Sequence, residues 1–128
     1  MTNWPKRELR KIAAADDLYI SPFRDDGVTY GTPTWIWSVS IDDSLFARAY
    51  NGKNSRWYTA AMRQKAGRIT AAGVTREVSF APVEDALFND RIDAAYRAKY
   101  SDSPYLDVMI GRRARSATVK ITPRANAK

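Results

Sequence analysis

The chain has 128 residues, 45% of them hydrophobic, a length and composition that fit one domain over residues 1–128 with a buried core. Cysteine and histidine are both absent, which excludes disulfides, thiolate and imidazole nucleophiles and a structural zinc site, and no apolar run approaches the roughly 18 residues a membrane helix needs. The net charge is +7, and the N-terminal Met1–Arg7 leads into a charged helical pattern rather than an apolar signal core, so a cytoplasmic protein without a membrane partner is expected.

Pro5 suits a first helical position, and Leu9, Ile12 and Ala13 share a face, predicting a helix over about residues 5–15 that stops near Asp16-Asp17. Leu18-Tyr19-Ile20 reads as a short strand ended by Ser21-Pro22, followed by a loop over 24–31 with Asp25-Asp26-Gly27 as its turn. Residues 34–41 read as one strand, with Trp35, Trp37, Val39 and Ile41 on one face and Thr34, Ile36, Ser38 and Ser40 on the other. Asp42-Asp43 joins it to a strand over 45–50, making a hairpin. Asn54 or Ser55 caps a helix through Gln64, with Gly67 beyond its end.

Two further strands, 68–72 and 75–83, are separated by Gly73, and Val74, Arg76, Val78 and Phe80 share a face of the second. Residues 86–100 form the longest helix, with Phe88, Ile92, Ala95, Tyr96 and Lys99 at helical spacing. Ser103-Pro104 caps a short helix ending at Gly111, and a last strand over 116–122 precedes a flexible tail after Pro123. The order predicts an α+β, mainly β fold. About six antiparallel strands in so short a chain are best closed into a barrel with peripheral helices, because closure removes exposed edges.

Charge is segregated. From Arg48 to Arg76 there are seven Lys and Arg and no acid, and the stretch from Val108 to Lys128 is again acid-free and carries Arg112, Arg113 and Arg115. A localised positive face follows if these charges are not neutralised from elsewhere. Within the first run, Arg48 to Tyr58 is a strand entering a glycine turn and then a helix. Backbone N–H groups, the helix dipole and the Ser55 hydroxyl can converge there on one anion, with Arg48, Lys53 and Arg56 adding charge-assisted bonds. The alternative is an ordinary Asn51-Gly52 turn and a capped helix with its charges in water.

Trp35 and Trp37 form either an aromatic wall for a planar ring or part of the core, and Trp57 and Tyr58 divide in the same way. The carboxylate pairs Asp16-Asp17, Asp25-Asp26, Asp42-Asp43 and Glu84-Asp85 all sit at turns or element ends, where Asp serves local hydrogen bonding. The two basic segments also allow nucleic-acid binding, although no aromatic RNA-binding signature accompanies them, so a nucleic-acid partner is not expected.

The segments Thr29–Trp37, Arg48–Tyr58, Arg91–Tyr100 and Ala117–Pro123 resemble an uncharacterised bacterial family, domain of unknown function number 2255, over nearly the whole chain. More distantly, the order of elements is similar to the flavin-binding split barrels, which include pyridoxamine-phosphate-oxidase-like proteins and deazaflavin-dependent nitroreductases. Ser55-Arg56 resembles part of the oxidase phosphate motif, with Trp57 where a lysine is usual, while Gly52 and Trp57-Tyr58 look more like the deazaflavin branch.

The resemblance implies a homodimeric split barrel that binds FMN or a deazaflavin (F420-type), holds no metal, and acts as an oxidoreductase on a small molecule. On that reading Arg48, Asn51, Gly52, Lys53, Asn54, Ser55 and Arg56 hold the phosphate; Trp35, Trp37 or Trp57 borders the ring; and Arg68 belongs to the same positive site. The alternative on this fold is a non-enzymatic module for another anion or a protein.

Overall fold

The computed structural model describes residues 4–15 and 18–124, so the helix stop and carboxylate pair at Asp16-Asp17 and the tail from residue 125 onward lie outside the described residues. In chain order the elements are α1 (Lys6–Ala14), β1 (Leu18–Pro22), β2 (Thr34–Ile36), β3 (Ser38–Ile41), β4 (Ser44–Arg48), a 3₁₀ turn (Gly52–Asn54), α2 (Arg56–Gln64), β5 (Ala66–Ala71), β6 (Val74–Pro82), α3 (Ala86–Lys99), α4 (Leu106–Met109), α5 (Arg112–Arg115) and β7 (Thr118–Pro123). The strands form one sheet in the order β2-β1-β5-β6-β7-β4-β3, every neighbouring pair antiparallel. The two edge strands, β2 and β3, follow each other in the chain with only Trp37 between them. The sheet therefore curls back on itself into a nearly closed barrel, with its seam at that residue.

This seam is the main departure from the expected six strands. The single strand expected over 34–41 is two strands that pair with opposite ends of the sheet. The bend is held from α3. The Tyr96 hydroxyl donates to the Trp37 carbonyl at 3.0 Å, Lys99 Nζ donates to the Ser38 carbonyl at 2.7 Å, and the Trp37 ring stacks on Tyr100 at 4.1 Å. Burial pushes the Tyr96 phenol well above its ordinary range, so it stays protonated and available as that donor.

The bend also resets the alternation. Ile36, expected outside the Trp35 face, is buried in the barrel interior with Leu18, Ile20, Leu45, Ile69 and Ile121. Val39 lies on the opposite side of the sheet with Phe46, Ile92, Tyr96 and Met109, beneath α3 and α4. β4 consequently buries both faces: Leu45 and Ala47 point into the barrel, and Phe46 and Arg48 point at α3.

Local chemistry explains the turns. Asp42 and Asp43 both take left-handed backbone (φ 52° and 67°), as do Ala72 and Gly73 (φ 53° and 76°). These are the two-residue mirror turns whose twist matches antiparallel strands. Asp26 organises its loop by accepting from the Val28 and Thr29 amides and the Thr29 hydroxyl, which lowers its carboxyl to about 2. Asp85 caps α3 by accepting from the Phe88 amide at 2.7 Å.

Lys65, not Gly67, supplies the left-handed residue that ends α2 (φ 60°). Gly67 lies inside β5, where β1 passes so close that a Cβ would sit 2.5 Å from the Ser21 carbonyl oxygen and 2.6 Å from Pro22 Cα. Gly67→Ala is therefore expected to destabilise the barrel by about 1–3 kcal/mol through forced strand separation, read as a fall in denaturation midpoint. The segment after α3 differs from the sequence reading in one more respect: the single short helix is α4, and α5 is an additional helical turn carrying Arg112 to Arg115.

Candidate functional site

β4 ends at Arg48, and the chain turns at Tyr50-Asn51. Gly52 (φ 78°) opens the 3₁₀ turn, and an extended Ser55 precedes α2. The Ser55 side chain makes no capping bond, so the first-turn amides of α2 keep unmet donor capacity. This helix start faces a cavity of about 510 Å³ at the barrel seam. One wall is Thr34, Trp35, Ile36 and Trp37 from β2 and the bend, and the other is Ser55, Arg56 and Trp57 from the turn into α2. Tyr50, Asn51, Tyr105, Met109 and Arg48 complete it. Trp57 is buried, with its ring edge-on to Tyr58 at 6.2 Å, whereas Trp35 is 56% exposed at the mouth.

The expected site residues divide. Trp35, Trp37, Trp57, Asn51, Ser55, Arg56 and Arg48 come together around the cavity. Gly52, Lys53, Asn54 and Arg68 do not line it. Gly52 packs on α5, where a Cβ would lie 2.5 Å from Arg113 Cγ. Lys53 faces away, into a different cavity. Arg68 sits on β5 with its guanidinium 4.0 Å from the Tyr30 ring, and the Tyr30 hydroxyl donates to Glu77.

Arg48 corrects the sequence reading in kind. It is fully buried, and all five of its N–H groups are engaged by protein. Nε donates to Thr118 Oγ1 at 2.9 Å, Nη1 to Asp93 Oδ1 and the Met109 carbonyl, and Nη2 to both oxygens of Asn89 at 3.0 and 3.1 Å. No donor is left to grip a phosphate. Asp93 is shared: its other oxygen accepts from Arg115 at 2.7 Å, and Arg115 also reaches Asp90. Arg48 thus forms the cavity floor and ties β4, α3, α4 and β7 together.

By contrast, the side chains of Arg56, Ser55 and Asn51 make no ion pair or hydrogen bond among the described residues. One end of the cavity therefore offers free donors, while the remainder is aromatic and aliphatic. The ionisable lining groups are Arg48, Arg56, Tyr50 and Tyr105, with no carboxylate and no lysine.

Tyr105 and Met109 were not singled out by the sequence. They arrive through the Arg48 bond to the Met109 carbonyl and an edge-on contact between Tyr105 and Tyr50 at 6.2 Å, neither of which leaves a local pattern. Thr34 and Ile36 were legible only as neighbours of the two tryptophans.

A nearly closed antiparallel barrel with its cavity at the seam and helices outside is the architecture of the split barrels. Two solved structures share the fold. One is a candidate pyridoxamine 5'-phosphate oxidase from Listeria innocua (TM-score 0.65, 12% identity, covering 94% of this chain and 93% of that one). The other is the conserved hypothetical protein Rv2991 from Mycobacterium tuberculosis (TM-score 0.61, 14% identity, 98% of this chain and 83% of that one). At these identities the likeness is one of fold. By sequence, the chain belongs to the family of uncharacterized proteins conserved in bacteria designated DUF2255, whose model matches residues 8–121. No curated protein matches the chain.

Proposed function

We propose that the seam cavity binds a flavin, FMN or a deazaflavin, and that the chain serves redox chemistry on a small molecule. The observation that carries this reading is the pairing of an aromatic-walled cavity of about 510 Å³ with unengaged donors at one end. That volume lies within the range of small-molecule sites. Both halves of the ligand are met. Trp35, Trp37 and Trp57 fit a planar ring, and Asn51, Ser55, Arg56 and the start of α2 fit a phosphate.

A bound flavin supplies the two-electron transfer that a chain without histidine or cysteine lacks. The side chains orient it. Arg56 compensates phosphate charge, the Ser55 hydroxyl and α2 amides donate to phosphate oxygens, and Trp37 and Trp57 exclude water from the ring. The Tyr50 and Tyr105 hydroxyls line the cavity and are the candidates to hand a proton to the substrate. A second copy closing over the exposed Trp35, Tyr50 and Tyr105 belongs to the same proposal. One observation favours a second reading, a binding module without catalysis: the lining holds no histidine, cysteine, lysine or carboxylate to serve as a general base.

Titration of the protein with FMN and with a deazaflavin, followed by flavin fluorescence, tests the reading. Arg56→Ala is expected to weaken binding by about tenfold or more, the value of a charge-assisted bond, and to shift stability by less than about 0.5 kcal/mol. A protein that binds neither compound, or equal affinity in the variant, overturns it.

A further inference from the structure

The two acid-free basic segments, far apart in sequence, meet in space. α5 packs on the 3₁₀ turn, with Arg113 filling the place a Gly52 side chain would take. Behind the turn, on the side away from the seam, lies a second cavity of about 390 Å³, whose lining includes Lys53, Arg112, Arg115, Asn89, Ser116 and Glu84. No residue lines both cavities.

Three of these six polar groups are already engaged. Arg115 bonds Asp90, Asp93 and the Ala86 carbonyl; Asn89 bonds Arg48, Thr118 and two carbonyls; the Ser116 hydroxyl donates to the Arg113 carbonyl. The side chains of Lys53 and Arg112 have no hydrogen bond or ion pair among the described residues. Arg115 and Arg48 are together balanced by Asp90 and Asp93, so the two free side-chain cations face the single carboxylate of Glu84. A concave surface with surplus positive charge and uncommitted donors concentrates anions.

We propose that this second cavity is a phosphate-binding site separate from the aromatic one, with the Arg112 guanidinium giving a two-pronged grip and the Lys53 ammonium a compact charge. The phosphate comes from one of two sources: a separate phosphorylated small molecule, or a distal phosphate of the seam ligand reaching around the turn. The site does not require that ligand to be a flavin.

Inorganic phosphate titrated into the full chain at low, constant chloride tests the site by calorimetry. Binding by the native chain is expected, with an affinity loss of about tenfold or more in the Lys53→Ala/Arg112→Ala double variant, since two charge-assisted bonds are removed. In Lys120→Ala, which removes one exposed charge that lines neither cavity, the affinity is expected to stay within about twofold of native. Both substituted side chains of the double variant are exposed, so circular dichroism should show an unchanged fold.

The proposal is overturned if the native chain gives no phosphate heat at millimolar concentration, if the double variant binds as the native chain does, or if Arg56→Ala alone abolishes binding. A titration of the double variant with FAD, which carries a second phosphate beyond the one FMN has, distinguishes the sources. Unchanged FAD affinity assigns the site to a separate molecule, and a loss seen with FAD but not with FMN assigns it to a distal phosphate of the seam ligand. Absence of flavin binding in the native chain would remove the redox reading and leave the phosphate result standing.

Discussion

Arg48→Ala is expected to lower the unfolding free energy by about 3–5 kcal/mol, the cost of removing one partner from a buried ion pair. The guanidinium is 0% exposed and engages Thr118, Asp93, Asn89 and the Met109 carbonyl. Truncation would leave Asp93 with only its Arg115 contact and would strip the Met109 carbonyl of its donor. Arg48→Lys keeps the charge but not the planar fork, and should recover only part of the loss.

Chemical denaturation with linear extrapolation measures the effect. A change under about 1 kcal/mol would show that the network is not an anchor. The same measurement separates two roles for this residue. A cavity-facing phosphate ligand would lose affinity and keep its stability; a buried tie loses stability first and disturbs the cavity through Met109 and Tyr105.

Trp37→Ala is expected to cost about 3 kcal/mol, near the low end for aromatic truncation because the indole is only partly buried. The substitution removes the stack on Tyr100 and one wall of the seam cavity together. It should therefore depress both melting temperature and flavin affinity. Trp35→Ala is the contrast. At 56% exposed, Trp35 contributes little to folding, so its replacement should leave stability within about 0.5 kcal/mol while still weakening ring binding. If Trp37→Ala melts as the native chain does, the bend at the seam is held by the backbone carbonyl bonds to α3 alone.

The charge runs show most directly where reading the chain reaches its end. Counting Lys and Arg between Arg48 and Arg76 marks a basic segment, but neutralisation comes from acids outside it: Asp93 for Arg48, Asp25 for Arg63 and Glu8 for Arg76. In the second segment Asp90 and Asp93 neutralise Arg115, and Glu77 neutralises Arg124. What remains of the turn and α5 as unpaired charge is Lys53, Arg56, Arg112 and Arg113, a smaller set on two sides of one turn. The anion-binding idea about Asn51 to Arg56 was legible because a glycine turn into a helix is local geometry. Which of its cations face which cavity was not.

Reading the residues alone recovered the order of helices and strands apart from the break at Trp37 and the extra turn α5, together with both hairpins, the α3 boundaries to within a residue, and the barrel class. Each of these follows from periodicity or turn chemistry that acts over a few neighbouring residues. Tertiary structure alone decided that the strand breaks at Trp37, that Arg48 is interior, and that Tyr105 joins the cavity. Those outcomes depend on Tyr96, Asp93 and Met109, residues brought close only when the sheet curls and α3 packs on it. A hydrogen bond between distant segments leaves no spacing in the chain to read, because its geometry exists only after folding.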